Sequence, residues 1–355
     1  MAKMKLRVGV IGVGAIADEK HLPNWQELEA EGRVELIGVC DIVSERAHEM
    51  AAKYGARVVH TDYKKMLADD KYDIIDVCTQ NRHHAPITIA SLKAGAHVIV
   101  EKPMAMNSAE CRAMIQAAET NKRKLMVAQF MRFEPDSEKL KEVIDAGRLG
   151  TIYSANATYL RRRGIPGWGK FHIAKESLGG PLIDIGVHVL DLAIWLMGCP
   201  KPIAASGKVY RMFGDREDLC NAEWGEPYDR KEFDVEDYAS AYVRFERDIT
   251  LTMEVSWAAN IENERSGVSI LGDKAGISTS PLGLYGYENR SLTTTRFDWL
   301  PPQSGHRMEI RHFTECVERN RPVRVKPEES LRVQQIIDAI YESSRTNAEV
   351  PIKAT

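Results

Sequence analysis

Three ionisable side chains interrupt an apolar stretch near the middle of the chain. Asp184, His188 and Asp191 lie within residues 179–198, where most other side chains are apolar. If this stretch is one helix that begins at Pro181, their i, i+4, i+7 spacing puts all three on one stripe. Because an isolated buried charge is costly, the three groups serve either a hydrogen-bonded core network or a catalytic site.

An imidazole and a carboxylate one helical turn apart suit general acid–base chemistry. Oxidation of a secondary alcohol needs a base for the hydroxyl proton while a hydride leaves the carbon. Imidazole, with an ordinary pKa of about 6.5, suits that task, and a nearby carboxylate can orient it. Asp184, His188 and Asp191 also have the types of metal ligands. No second His or Cys cluster supports a metal, so we predict none.

Polar residues also follow two apolar segments that read as buried strands. Lys102 comes directly after the segment at 97–100, and Asn81 and His84 follow the one at 73–79. Ligands of an open parallel α/β sheet bind at the carboxyl ends of its strands. We therefore interpret these three side chains as binding residues, and the Lys102 ammonium as a group that can stabilise a developing alkoxide.

A glycine-rich turn near the N-terminus predicts a dinucleotide site. Residues 6–11 read as a short buried strand. The segment that follows is Gly12-Val13-Gly14-Ala15-Ile16-Ala17. In this GxGxx(G/A) pattern the first glycine allows a tight turn and the second lets a pyrophosphate approach the backbone. The small third residue lets helix and strand pack closely, and the N–H groups of the helix N-terminus face the anion.

An acidic residue ends the second predicted strand, which covers residues 34–40. Asp41 can accept hydrogen bonds from the adenosine ribose hydroxyls and would repel a 2′-phosphate. No arginine follows it immediately, since Ile42, Val43 and Ser44 come next. The sequence therefore predicts NAD, rather than NADP, as the cofactor.

The order of predicted elements gives an α/β fold class. Strands and helices alternate up to about residue 130, and strands dominate from residue 203. We predict an N-terminal Rossmann dinucleotide-binding domain at 1–130. A C-terminal α+β domain at 131–355, with a large, mostly antiparallel open sheet, is predicted to follow it. An acidic loop at 214–236 is long enough to be a lid or an interface.

Composition excludes several classes of partner. Among 355 residues, 48 Lys and Arg balance 51 Asp and Glu to give a net charge of −3, so no basic field favours nucleic acid. No apolar run approaches the ~20 residues that span a bilayer. The six cysteines are scattered without a CxxC pair, as expected of free thiols. We predict a cytoplasmic protein without nucleic-acid or membrane partners.

Together these residues resemble the Gfo/Idh/MocA family of nicotinamide-dependent oxidoreductases. Glu101, Lys102 and Pro103 match the family's EKP motif, and residues 179–191 match its second motif, roughly GGxxxDxGxHxxD. The resemblance extends over nearly the whole chain. One departure is Gln80, where relatives often carry a proline.

The resemblance implies a role for individual residues. Lys102 would contact substrate and cofactor, His188 would be the general acid/base, and Asp184 would bind a substrate hydroxyl or orient His188. Trp168, which follows a run of three arginines at 161–163, could present its ring to a sugar. The implied cofactor-binding residues are Gly12, Gly14, Ala15, Ile16, Asp41, Thr79, Asn81, His84, Glu101 and Lys102. Asp191 is expected to be structural.

The predicted function is an NAD-dependent dehydrogenase for a cyclic polyol or sugar, of the inositol or pyranose type. The resemblance also implies that the domain at 131–355 binds substrate and mediates oligomerisation, as a homodimer or homotetramer built on its sheet. One alternative is an enzyme that holds NAD tightly and uses transient sugar oxidation to cleave a glycosidic bond. Another is a cofactor-sensing regulator without catalysis, although both Lys102 and His188 are present.

Overall fold

Two compact units make up the chain. The computed structural model describes residues 5–218 and 227–353. The first unit comprises Met1–Phe133 and Gln303–Leu331, and the second comprises Glu134–Pro302 and Arg332–Thr355. The first boundary lies close to the predicted one, but residues 303–331 pack with the first unit, whereas the sequence analysis placed them in the second.

A parallel sheet forms the centre of the first unit. Among the described residues its strands are β1 (Leu6–Ile11), β2 (Val34–Cys40), β3 (Val58–His60), β4 (Ile74–Val77), β5 (His97–Glu101) and β6 (Leu125–Ala128). They lie in the order β3-β2-β1-β4-β5-β6, and every pair is parallel. This is the strand order of a dinucleotide-binding fold. The predicted Rossmann domain is therefore confirmed, and its strands are mostly apolar because helices cover both faces.

The helices of the first unit connect these parallel strands. They are α1 (Leu22–Ala30), preceded by a π-helical turn at Ala17–His21, then α2 (Ser44–Tyr54), α3 (Tyr63–Asp69), α4 (Asn81–Lys93) and α5 (Ser108–Thr120). The sequence pattern predicts this fourth helix only from Pro86, with Asn81 and His84 in the loop before it, but α4 begins at Asn81 and contains Pro86. Asn81 and His84 therefore lie in the first turn of a helix and not in a loop.

The second unit contains a larger sheet. Its described strands are β7 (Ile152–Leu160), β8 (Pro202–Tyr210), β9 (Tyr238–Phe245), β10 (Thr250–Ser256), β11 (Arg265–Gly272), β12 (Ala275–Thr279), β13 (Leu282–Glu288), β14 (Ser291–Arg296) and β15 (Val350–Pro351). The order is β14-β13-β12-β11-β7-β10-β9-β8-β15. Within this described sheet only the β7–β10 pair is parallel. The prediction of a large, mostly antiparallel sheet is confirmed.

The helix predicted for residues 181–197 is broken, so that prediction is wrong in its continuity. The helices of this region are α6 (Pro135–Asp145), α7 (Ala174–Ser177), α8 (Pro181–Asp184) and α9 (Gly186–Leu196). Ile185 separates α8 from α9. Gly186 lies against β10, and a Cβ at this glycine would be 2.7 Å from Met253 Cε. The chain bends where its backbone contacts the sheet, and Asp184 and His188 lie on opposite sides of the break.

Two helices end the chain, α10 (Gly305–Glu318) and α11 (Pro327–Thr346). Ile310 and Phe313 of α10 are fully buried in the apolar core of the first unit. Arg311 Nη2 donates a hydrogen bond to Glu31 Oε1 over 2.7 Å. These contacts explain why residues 303–331 return to the first unit.

In the described part of the chain, no single helix is long and apolar enough to cross a membrane. One bent pair of segments, Ala174–Asp184 and Gly186–Leu196, reaches that length and composition together, with a bend of 49°.

Candidate active site

The glycine turn after β1 is shaped to accept a phosphate group. Gly12 has a φ of +87°, and a Cβ there would lie 2.7 Å from the backbone of Cys78. At Gly14 a Cβ would meet no atom of the described residues within 4 Å. The first helical hydrogen bond runs from Asp18 N to Gly14 O over 3.0 Å. The turn thus combines a left-handed glycine, open space at the second glycine and a helix N-terminus, as a pyrophosphate requires.

Asp41 joins the end of β2 to this turn. Its Oδ2 accepts a hydrogen bond from Val13 N over 3.0 Å, and its Oδ1 accepts one from Val43 N over 2.9 Å. Arg46 Nη1 lies 3.7 Å from Asp41 Oδ2. The sequence analysis looked for an arginine directly after Asp41 and missed Arg46, which the first turn of α2 brings back toward the carboxylate.

Thr79 supplies a polar atom next to the glycine turn. Its Cγ2 would be 2.8 Å from a Cβ at Gly12, and its buried Oγ1 has no hydrogen-bond partner among the described residues. A buried hydroxyl normally finds a partner, so its position suits a ligand group. The turn, Asp41 and Thr79 together fit the dinucleotide that the sequence predicts.

His84 contacts the backbone at two places. Its Nδ1 is 2.7 Å from Pro103 O and its Nε2 is 2.9 Å from Thr79 O. The ring is fully buried, and burial lowers its pKa despite both backbone hydrogen bonds. His84 therefore links the end of β4 to the segment after β5. Asn81, the first residue of α4, is also buried. Direct contact of either residue with the cofactor stays a prediction.

The Glu101 carboxylate, at the end of β5, holds the backbone of Lys102. Its Oε2 accepts a hydrogen bond from Lys102 N over 3.1 Å, and its Oε1 is 2.9 Å from His21 Nε2. Burial alone would raise the pKa of Glu101, but the hydrogen bond and charge of His21, with the charge of Lys102, lower it to about 2. Glu101 is consequently ionised, and Lys102 lies half-buried beside it.

In the second unit, Asp184 and His188 are each 8% exposed, and Asp191 is fully buried. The Asp184 Oδ2 accepts a hydrogen bond from Trp257 Nε1 over 3.0 Å. Trp257 is itself fully buried. Sequence reasoning missed this tryptophan because nothing local links it to a carboxylate 73 residues earlier. The indole fixes the position of the carboxylate.

The two glycines of the second motif are explained by a buried carboxylate. Glu236 Oε1 accepts hydrogen bonds from Leu182 N over 3.1 Å and from Tyr341 OH over 3.0 Å. A Cβ at Gly180 would overlap the Glu236 carbonyl, and a Cβ at Gly179 would overlap the Tyr341 hydroxyl. Burial raises the pKa of Glu236, against the effect of its hydrogen bonds. Glu236 and Tyr341 thus fix the start of α8, and neither was identified from the sequence.

Two arginines of the run at 161–163, after β7, make contacts with neighbouring segments of the second unit. Arg163 Nη1 donates to Ala259 O over 3.0 Å, and its Nη2 donates to Asn260 Oδ1 over 2.8 Å. Arg161 lies over the Tyr159 ring, 5.3 Å from its centroid. Trp168 is partly exposed in the loop that these arginines hold. Of the acidic loop at 214–236, residues 219–226 lie outside the described residues, so the predicted lid stays a prediction.

Comparison with known proteins matches both parts of the chain. Residues 6–129 match the family model described as "Oxidoreductase family, NAD-binding Rossmann fold", named GFO_IDH_MocA. Residues 141–352 match its companion, "Oxidoreductase family, C-terminal alpha/beta domain". Both models belong to the family that the EKP and GGxxxDxGxHxxD motifs indicated.

Individual relatives match over the full length. D-glucoside 3-dehydrogenase of Escherichia coli K12 is 34% identical over 354 residues, 99% of each chain. D-xylose 1-dehydrogenase (NADP(+)) 2 of Haloferax volcanii is 26% identical and covers 97% of this chain and 99% of its own. A levoglucosan dehydrogenase solved with NADH and levoglucosan has a TM-score of 0.85 at 23% identity, covering 99% of this chain and 100% of its own. At that identity the last likeness concerns the fold.

Proposed function

The chain belongs to the Gfo/Idh/MocA family of NAD-binding oxidoreductases, and from this premise we propose that it oxidises a secondary alcohol of a sugar or cyclic polyol. The observation that carries the proposal is the burial of both Asp184 and His188, each 8% exposed, in a chain whose glycine turn, Asp41 and Thr79 fit a dinucleotide. A buried imidazole supplies a base for a hydroxyl proton, and a carboxylate on the neighbouring helix is a candidate to orient it.

We assign the reaction roles as follows. Bound NAD supplies the hydride acceptor. His188 takes the hydroxyl proton of the substrate. The carbinol C–H bond of the substrate breaks, its hydride leaves for the cofactor, and a ketone forms. Asp184, fixed by Trp257, orients His188 or binds a neighbouring hydroxyl. The Lys102 ammonium stabilises negative charge on the reacting oxygen.

The proposed cofactor contacts follow the sequence analysis. Backbone groups at Gly12, Gly14, Ala15 and Ile16 would face the pyrophosphate, and Asp41 the adenosine ribose. The proposed contacts on the nicotinamide side are Thr79, Asn81, His84, Glu101 and Lys102. The ring nitrogens of His84 and the carboxylate oxygens of Glu101 already contact protein groups. We therefore propose that these two residues mainly fix the backbone around the nicotinamide. Trp168 remains the proposed aromatic surface for a sugar.

We further propose a homodimer or homotetramer that pairs through the larger sheet. Tyr153 on β7 and Leu271 on β11 are 51% and 44% exposed, although both are large and apolar. Exposed apolar side chains on a sheet are candidates for burial between subunits. The described cysteines Cys40, Cys78 and Cys316 are thiols outside any disulfide, in keeping with a cytoplasmic location.

The substrate is tested by incubating the protein with NAD and a panel of D-glucosides, free aldoses and inositols, with NADH absorbance as the readout. Because a full-length relative is named D-glucoside 3-dehydrogenase, we expect D-glucosides to give the fastest NADH formation. Cleavage of a glycoside without net NADH would favour the oxidation–elimination alternative. Cofactor binding without either product, across the panel, would favour a regulator.

Cofactor preference depends on Asp41 and its neighbour Arg46. The unmodified protein should prefer NAD, because the carboxylate repels a 2′-phosphate. Asp41→Ala should shift the ratio of kcat/KM values toward NADP by about 10- to 100-fold, since Arg46 then becomes available to a phosphate. The double change Asp41→Ala with Arg46→Ala is the control and should lose NAD affinity without that gain. Equal use of both cofactors by the unmodified protein would contradict the prediction.

A further inference from the structure

A buried histidine with no role so far touches the carboxylate that precedes Lys102. His21 is the last residue of the π-helical turn Ala17–His21 and is fully buried. Its Nδ1 is 2.8 Å from Asp76 Oδ2, and its Nε2 is 2.9 Å from Glu101 Oε1. Both ring nitrogens thus face carboxylate oxygens of two neighbouring strands, β4 and β5. Single π-helical turns inside α-helices are frequent at functional sites.

The chemistry of this contact requires a charged ring. A neutral imidazole has one N–H, whereas two ionised carboxylates can only accept hydrogen bonds. Burial alone would lower the pKa of His21, but the charges and hydrogen bonds of Asp76 and Cys78 together outweigh burial, and the pKa lies well above its ordinary value. Trp25 Nε1 donates to the same Asp76 oxygen over 2.7 Å. An imidazolium between Asp76 and Glu101 therefore satisfies every group with charge-assisted hydrogen bonds.

This network reaches Lys102 through one further hydrogen bond. The second oxygen of Glu101 accepts the backbone N–H of Lys102 over 3.1 Å. The side chain of Glu101 is thus held at one oxygen by His21 and holds the lysine backbone with the other. A carboxylate free to rotate would lose this alignment, because long side chains keep several rotamers unless they are fixed.

We propose that His21, as an imidazolium anchored by Asp76, is a positioning residue that fixes Glu101 and through it the backbone of Lys102 for turnover. The proposal rests on the role proposed above for Lys102. It explains why His21 is buried together with the Asp76 and Glu101 carboxylates, directly before Lys102 of the EKP motif. His21 touches neither substrate nor cofactor in this account.

A metal centre is the competing interpretation of the same residues. One ligand-type atom each from His21, Asp76 and Cys78 lies within 4.8 Å of the others, and all three residues are buried. However, Cys78 Sγ is 3.3 Å from Asp76 Oδ1, and the other Asp76 oxygen already contacts His21 and Trp25. Burial also raises the pKa of the Cys78 thiol, whereas a metal ligand must be a thiolate. The contacts are those of a hydrogen-bonded charge network.

The test compares His21→Gln with His97→Gln. His97 is at the opposite end of β5 from Glu101, where its Nδ1 accepts a hydrogen bond from Lys124 N over 2.8 Å. We expect His21→Gln to lower kcat about 10- to 100-fold, the cost of a misplaced catalytic group. Its dissociation constant for NADH should stay within about twofold, because the adenosine end is untouched. The control should keep the wild-type kcat.

A double-mutant cycle separates positioning from a general structural effect. In a Lys102→Met background, His21→Gln should cause no further loss of kcat, because the group it positions is gone. A further loss of the same size as in the wild-type background would overturn the positioning role while leaving the role of Lys102 intact. Wild-type kcat in Lys102→Met alone would instead overturn the role of Lys102, and this proposal with it.

The charge of His21 can be measured even if His21→Gln does not fold. The ring nitrogens of the wild-type protein, labelled with ¹⁵N-histidine, should show one imidazolium at about pH 8, where ordinary histidines are neutral. Asp76→Asn should abolish that signal. A spectrum with neutral rings alone at that pH, or a stoichiometric metal ion in the purified protein, would overturn the proposal.

Discussion

Replacing His188 by Asn should lower kcat by about 10²- to 10⁴-fold, the usual contribution of a positioned acid or base. His188 lies on α9 and is 8% exposed, and it is the residue that we propose takes the hydroxyl proton. Asn keeps the size and polarity but cannot accept a proton in this range of pH. NADH should bind with nearly unchanged affinity, because the cradle belongs to the first unit.

The pH–rate profile gives a second readout for the same change. If neutral His188 is the base, the rate of alcohol oxidation falls as the pH decreases and the ring is protonated. His188→Asn should lose this acidic limb, and the midpoint of the wild-type limb belongs to His188 and Asp184 together. Trp195→Phe, two turns further along α9, is the matched control and should keep both rate and limb. An Asn variant with the wild-type rate and limb would reduce the pair to a structural network.

Replacing Lys102 by Met should lower kcat by about 10²- to 10³-fold, as expected for loss of a charge that stabilises the reacting oxygen. Met retains most of the aliphatic length, so the fold should persist. The variant is checked by its thermal unfolding midpoint and by NADH binding, both of which should change little. Lys93→Met, at the exposed end of α4, is the control for removal of a lysine from the same unit.

The outcome for Lys102 distinguishes two interpretations. A collapse of kcat with intact NADH binding supports direct participation in the reaction. Retention of nearly full kcat on the best substrate would make Lys102 a surface lysine that happens to follow a buried strand. Equal losses in the Lys93 and Lys102 variants would indicate a nonspecific effect of charge removal.

Much of the first unit was predictable from local pattern. Buried strands alternated with helices, and the turn at Gly12 requires a φ of +87° that few residues other than glycine adopt. The break at Ile185 was not predictable, because residues 181–197 are helical by local pattern. It depends on the approach of Gly186 to Met253, a contact across 67 positions that local periodicity does not encode.

The candidate site was predictable only in part, for the same reason. The motifs identify Lys102, Asp184 and His188, but the residues that hold them are distant in sequence. Trp257 on Asp184 and His21 on Glu101 come from segments that carry no motif of their own. Such partners cannot be predicted from local sequence, because the fold brings them into contact across 73 and 80 positions of the chain.

The most direct test of the account is the transfer of the carbinol hydrogen. The best substrate of the panel, deuterated at the carbon that becomes the ketone, is incubated with the protein and NAD, and the cofactor is examined by mass spectrometry. A dehydrogenase of the proposed kind should give NADH carrying one deuterium, in equal amount to the ketone. Ketone formed without deuterium in the cofactor, or glycoside cleaved with no net reduced cofactor, would contradict it.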